Sequence, residues 1–409
     1  MLRFLTAGES HGKALVAIVE GVPAGLSIDF DKVTADLRRR QTGYGRGRRM
    51  LIESDRADAL SGVRHGQTTG GPIALLIPNK DWENWQRTMH VEAEMPASAT
   101  GADRPAVTRP RPGHADLAGF VKYGHDDMRD VLERASARET AARVAVGAVA
   151  RQLLACVDTE IVSHVITIGA ASVADPLSFT FAQIKALSAE TPLHCADPEV
   201  EQHMVTEIDR AREAGDTMGG AFEVIVHGIP PGLGSYVQWD RKLDGRLAQA
   251  LMSIPAIKAV GIGLGPEVAS LPGSRVHDEI VPGPSSALGV ARPTNNAGGL
   301  EGGHQRRGPA RDRVHEADLH ADEAASLCRS GDDDREPRGD RTQRRLRRAG
   351  RRRRRRSHGG TRARRRAARS LRRRLDRRPR AGDGRGRRRA PRALRRRAHR
   401  GQRIAACAT

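Results

Sequence analysis

After residue 303 the chain loses the patterning that a fold requires. From His304 to Thr409 it carries 39 arginines, no lysine and 12 acidic residues, a net charge of +27 against +21 for all 409 residues. Beyond Arg341 it is mostly Arg, Ala and Gly. No apolar periodicity survives there, so the segment can bury no core and is expected to have no stable fold. Residues 1–303 are left with a charge of −6. The basicity that would ordinarily point to a nucleic-acid partner therefore belongs to the tail alone.

Residues 1–303 read as an α+β protein. Short apolar runs of strand type (Ala14–Val19, Ile73–Ile77, Ile161–Ile168, Phe222–His227) alternate with helical stretches and glycine-rich loops. Ser136-Ala137-Arg138-Glu139 has the form of a capping box, and Ala, Val and Leu recur behind it at helical spacing to Leu154. Two further helices are expected over Arg241–Met252 and Asp31–Arg40. Val, Ile, Leu and Ala suffice for a large core although aromatics are only 3% of the chain.

The four cysteines (Cys156, Cys195, Cys328, Cys407) are scattered and show neither CxxC nor metal-type spacing. They read as free thiols in a reducing cytosol, and no metal is expected. The N-terminus lacks a signal-peptide apolar stretch and no run reaches membrane-spanning length, so a cytoplasmic protein is the default.

Three clusters carry candidate chemistry. Residues 7–12, AGESHG, place His11 among glycines that let backbone approach a ligand closely. Residues 38–49, RRRQTGYGRGRR, interleave arginines with glycine and a tyrosine. That texture suits a phosphate or carboxylate site, but an RNA-binding segment shares it. Residues 108–119, TRPRPGHADLAG, hold Arg109 and Arg111 in a proline-stiffened stretch ahead of His114. Arg134 and Ser136 then stand at a helix start, where free N–H groups and the dipole favour an anion.

Taken together, AGESHG, RRRQTGYGRGRR, TRPRPGHADLAG, KYG, LERASARETAARVAVGAVA, GDTMGG, PPGLGS, DRKLDGRLAQALMSIPAIKAVGIG and NNAGGLEGG resemble the motifs of the chorismate synthases, in that family's order. The wording of several is similar to actinobacterial members. The resemblance implies a β-α-β sandwich, a homotetramer, and a carbon–oxygen lyase. Its reaction is the 1,4-anti-elimination of phosphate from 5-enolpyruvylshikimate 3-phosphate to give chorismate, using reduced FMN, with NADPH as a possible reductant. A substrate with two carboxylates and a phosphate needs several arginines, and the developing charge on the leaving group needs neutralising.

Carried over by position, the resemblance makes His11 and His114 the catalytic histidines, His11 serving the leaving phosphate and His114 the flavin. Arg46, Arg49, Arg111 and Arg138 become substrate-binding candidates. Arg40 and Arg46 match NADP-binding positions, and Arg134, Ala135, Ser136, Pro255, Ala256 and Gly302 match flavin-binding ones.

Where the family continues with a KPIST-type flavin loop and a DVCAxPAA-type helix, this chain has neither. Reading the tail one base later with GC-rich codons lets Asp312–Ala325 spell IVSMKPISTLMKQP and Gln343–Gly359 spell NDVCAAPAAAVVAEAMV. CGN codons are what GCC and GTC become when shifted, which accounts for arginine without lysine. The expected division is therefore an incomplete catalytic core over 1–303 and a frameshifted tail over 304–409. Such a product is expected to be weakly active or inactive. The alternative is an arginine-rich tail that binds nucleic acid non-specifically through phosphate contacts.

Overall fold

The computed structural model describes residues 2–45, 54–187, 191–230, 232–283, 289–302, 304–305, 312–315 and 317–319. Its principal strands are β1 (Arg3–Ala7), β2 (Ala14–Glu20), β3 (Asp58–Ser61), β4 (Ile73–Pro78), β5 (Glu160–Ile168), β6 (Ala171–Ser172), β7 (Gly220–His227), β8 (Ile257–Val260), β9 (Asp312–His315) and β10 (Ala317–Leu319). The principal helices are α1 (Phe30–Gln41), α2 (Asp116–Tyr123), α3 (Thr140–Ala155), α4 (Pro198–Glu213) and α5 (Leu243–Met252).

A first, antiparallel sheet runs β1-β2-β4-β3. Period-two alternation puts Leu15, Ala17 and Val19 of β2, with Ile73, Leu75 and Ile77 of β4, on one buried face. Against that face lie Val33 and Leu37 of α1 and a run of small residues on α3, from Ala141 to Val149. Burial of each large aliphatic side chain contributes about 1.5–3 kcal/mol. α3 also contacts β5 of the second sheet, whose order is β8-β10-β7-β5-β6, so the helix lies between two sheets. This is the β-α-β layering that the resemblance implied.

The helix expectations hold with adjusted ends. Asp29 caps α1 by accepting from the N–H groups of Asp31 and Lys32. Ser136 caps a 3-10 turn, Ala137–Glu139, that leads into α3. The capping box is not closed reciprocally, because the Glu139 carboxylate is taken by Thr6 Oγ1 (2.6 Å) and Arg143 Nε (2.9 Å). The reading from sequence places no helix over Pro198–Glu213. There α4 forms behind Asp197, which accepts from the N–H groups of Glu199 and Val200.

Residues 304–328 show no strand face in sequence, and within that stretch β9 pairs antiparallel with β7 from Asp312↔Val226 to His315↔Glu223. β10 bridges β7 and β8 through Leu319↔Gly220 and Ile257↔Leu319. Pairing needs only backbone N–H and C=O groups, so the edges of β7 and β8 take up a strand whatever its side-chain pattern. Contacts group residues 1–331 into one unit, to which all described residues belong. The expectation of no stable fold over most of the tail falls on 306–311 and 320–409, outside the described residues.

Candidate active site

The turn between β1 and β2 carries His11. Gly8 adopts φ +104°, and a Cβ there would collide with the Ala14 carbonyl oxygen, so glycine is required. Asn79 fastens the turn by donating its side-chain amide to the carbonyls of Glu9 (3.1 Å) and Gly12 (2.7 Å). Glu133, its side chain 1% exposed, accepts from the His11 backbone N–H at 2.8 Å and lies 2.9 Å from ring Nδ1 through both oxygens. The His11 ring stacks on Trp85, with centroids 3.8 Å apart and planes 23° apart. Arg104 sets its guanidinium 3.8 Å from the same indole. Behind the turn, Ser10 and Ser136 are joined through their hydroxyls at 3.0 Å.

Next to the turn a buried carboxylate collects arginines. Asp55 accepts from Arg138 Nη1 at 2.6 Å, and Arg40 Nη1 stands 3.8 Å from the same oxygen. Arg138 Nε donates to Asn79 (3.0 Å), while Arg40 donates to Thr140 Oγ1 (2.9 Å) and the Ala137 carbonyl (3.0 Å). Two arginines that the sequence assigns to ligands thus also brace the start of α3. Asp55→Ala leaves both guanidiniums buried without this carboxylate, and a broken buried pair costs about 3–5 kcal/mol. Urea unfolding is expected to show that loss; a change below about 1 kcal/mol would mean the pair is immaterial to the fold.

His114 lies on the loop before α2, its Nδ1 2.9 Å from the Pro112 carbonyl. Arg111 donates its backbone N–H (3.1 Å), Nε (2.9 Å) and Nη2 (3.1 Å) to Asp116. Burial pushes the Asp116 carboxyl up, but these hydrogen bonds and the adjacent positive charge outweigh it and hold the group below its ordinary value. A depressed folded pKa gives stability that is present above the unfolded value, about 3.9, and lost as pH falls through the folded one. Asp116→Asn is therefore expected to flatten the fall of unfolding free energy below about pH 4. An unchanged slope would count against it. The loop is tied to the segment ahead of Glu133 by Met128 N–H on the Val107 carbonyl (2.9 Å) and Arg129 on that of Pro105 (3.0 Å).

The flavin candidates divide. Arg134 is exposed and donates to the Thr6 carbonyl (3.0 Å) and hydroxyl (2.9 Å), while Ala135 beside it donates its N–H to Val131. Arg143 links this region to the one holding Pro255 and Ala256, bonding both Glu139 and Ser253. Ala256 takes φ +67°, a left-handed conformation rare for a residue with a Cβ. Gly302 is exposed at φ +59°, with nothing within 4 Å of where a Cβ would stand. Arg46 and Arg49 lie outside the described residues. Ahead of them in the described chain, the Tyr44 hydroxyl donates to Asp209 at 2.9 Å. That bond, with burial and the negative charge behind it, raises the phenol above its ordinary value.

His11, Arg134, Ser136, Arg138 and Arg40 are thus brought around the β1–β2 turn and the start of α3. His114 and Arg111 belong to a separate loop that reaches the same region through residues 127–133. Sequence reasoning missed Glu133, Trp85, Asn79 and Asp55. Glu133 stands inside a motif already singled out, yet nothing in its spacing points to His11, 122 positions away.

The comparisons with known proteins agree with the motifs. The profile of the chorismate synthase family matches residues 2–309. A chorismate synthase of Desulforudis audaxviator is 57% identical over 314 residues, covering 77% of this chain and 78% of its own length. One of Thermobifida fusca is 52% identical over 316 residues, covering 77% and 80%. A crystal structure of chorismate synthase is similar with a TM-score of 0.65 and 43% identity, covering 80% of this chain and 87% of that one. With the motifs, the layering and the matched length in agreement, this chain belongs to the chorismate synthase family.

Proposed function

We propose that the chain is built for the family's 1,4-anti-elimination, with His11 delivering the proton to the departing phosphate and His114 serving the flavin. The observation that carries this is the setting of His11: a ring held at one edge by a buried carboxylate and on one face by Trp85, on a turn that only glycine can form. A ring so restrained keeps the direction of proton delivery fixed.

The residues present fit a reduced FMN. Gly302 leaves open space above its backbone, and Arg134 offers an exposed cation beside the capped turn of Ser136. Arg134, Ala135, Ser136, Pro255, Ala256 and Gly302 would hold the cofactor. When bound it supplies electron density to the allylic system and recovers it afterwards, so that no net redox change results. Arg46, Arg49, Arg111 and Arg138 meet the substrate's carboxylates and phosphate, and Arg40 with Arg46 receives NADPH as reductant. The functional assembly is a cytoplasmic homotetramer.

The tail is read as frameshifted. Supporting this, the family match ends at residue 309, while relatives are matched over only 76–80% of their own lengths. The rival reading, a nucleic-acid-binding protein, rests on a charge that shifted GCC and GTC codons themselves produce. The test of the active-site assignment is anaerobic phosphate release from 5-enolpyruvylshikimate 3-phosphate with reduced FMN, in a chain carrying the restored frame. His11→Ala and His114→Ala should each lose turnover; a variant that keeps it removes that histidine from the mechanism.

A further inference from the structure

We propose that Glu133 is the positioning residue of His11: its carboxylate keeps a proton on Nδ1, so that Nε2 is the nitrogen that carries the transferable proton when the ring is protonated and is left bare once that proton is delivered. The inference rests on the assignment of proton handling to His11 above.

Three contacts carry it. The Glu133 oxygens both lie 2.9 Å from His11 Nδ1, and one of them also accepts the His11 backbone N–H at 2.8 Å. An ionised carboxylate is acceptor-only, so an unprotonated Nδ1 would turn its lone pair towards two oxygens that have none but lone pairs to offer. Placing the proton on Nδ1 turns that repulsion into a charge-assisted hydrogen bond. The backbone of the same residue is also fixed, since Ser10 donates its N–H to the Glu133 carbonyl at 3.0 Å. Carboxylate and imidazole therefore cannot drift apart without breaking the turn.

The stack on Trp85, itself 6% exposed, supplies the remaining restraint by holding the plane of the ring. An edge contact and a face contact together leave the imidazole one orientation and one tautomer. A carboxylate that sets the tautomer of a working histidine through its second nitrogen is a general device of hydrolases and metal sites. Here it is assembled from residues 122 positions apart.

The test reads the tautomer directly. The full chain is labelled with 15N-histidine, and the His11 ring signals are assigned by their loss in His11→Gln. Spectra are recorded near about pH 8.5, where histidines are ordinarily neutral. The expected result is a proton on Nδ1 and the pyridine-type 15N signal from Nε2. In Glu133→Leu, which keeps bulk and removes the acceptor, the pyridine-type signal should shift to Nδ1. Glu133→Asp should retain the original pattern at least in part.

A wild-type ring protonated only on Nε2 overturns the proposal, as does a pattern in Glu133→Leu identical to the wild type. The wild-type spectrum decides even where the leucine variant fails to fold. No turnover is needed for this measurement. A failure of the His11 assignment, seen as undiminished turnover in His11→Ala, is therefore distinguishable from a failure of the positioning.

Discussion

Restoring the reading frame beyond residue 303 should raise affinity for reduced FMN by at least about 100-fold and bring turnover with it. The resemblance places a KPIST-type flavin loop and an Asp-bearing helix in that region, and the present chain has neither sequence. A cofactor phosphate held by a loop gains charge-assisted hydrogen bonds of about 1.5–3 kcal/mol each. Losing two of them exceeds about 3 kcal/mol, and every 1.4 kcal/mol is tenfold in affinity. On the assignment proposed above, the residues retained here, from Arg134 to Ser136 with Pro255, Ala256 and Gly302, would supply the rest of the site.

Anaerobic titration of flavin fluorescence, run on the chain as it stands and on one whose tail is read one base later, measures the difference. Phosphate release from the same two proteins gives the catalytic counterpart. Equal affinity and equal turnover in both would sink the frameshift reading. A peptide from 320–409 recovered by mass spectrometry from cells, with an intact single reading frame in the gene, would do the same.

In the restored protein, His11→Ala should lower kcat about 10²–10⁴-fold with a smaller change in KM, the span expected when a positioned general acid is removed. On the proposed assignment the effect would fall on kcat, because the proton is needed as the C–O bond breaks, whereas the arginines proposed to hold the substrate anions are left in place. The Glu133 hydrogen bond to the residue-11 backbone N–H does not involve the imidazole, so alanine leaves its donor in place. A drop in KM-dependent binding alone, with kcat unchanged, would contradict a proton-transfer role. His114→Ala separates from it by readout: its loss should be accompanied by an altered spectrum of bound reduced flavin, which His11→Ala leaves unchanged.

Much of the framework was legible because it is local. Alternation in Ala14–Glu20 and Ile73–Pro78 marks strands with one buried face, and Ser136 marks a helix start by a side chain that reaches only two residues. What composition could not show is that Arg40 and Arg138 spend part of their hydrogen-bonding capacity on a buried aspartate. Their charge reads the same in sequence whether it faces a ligand or Asp55. The strands β9 and β10 were equally hidden, since backbone pairing leaves no trace in side-chain pattern.

The sequence by itself determined the family and the order of the motifs. Those are properties of residue type and of spacing along the chain. Only the tertiary structure decided the partners: Glu133 and Trp85 for His11, Asp55 for Arg40 and Arg138, and Arg143 as the link between Glu139 and Ser253. Each joins groups far apart in sequence. A contact of that kind is set by how α3 seats between the two sheets, and no local preference of the chain encodes it.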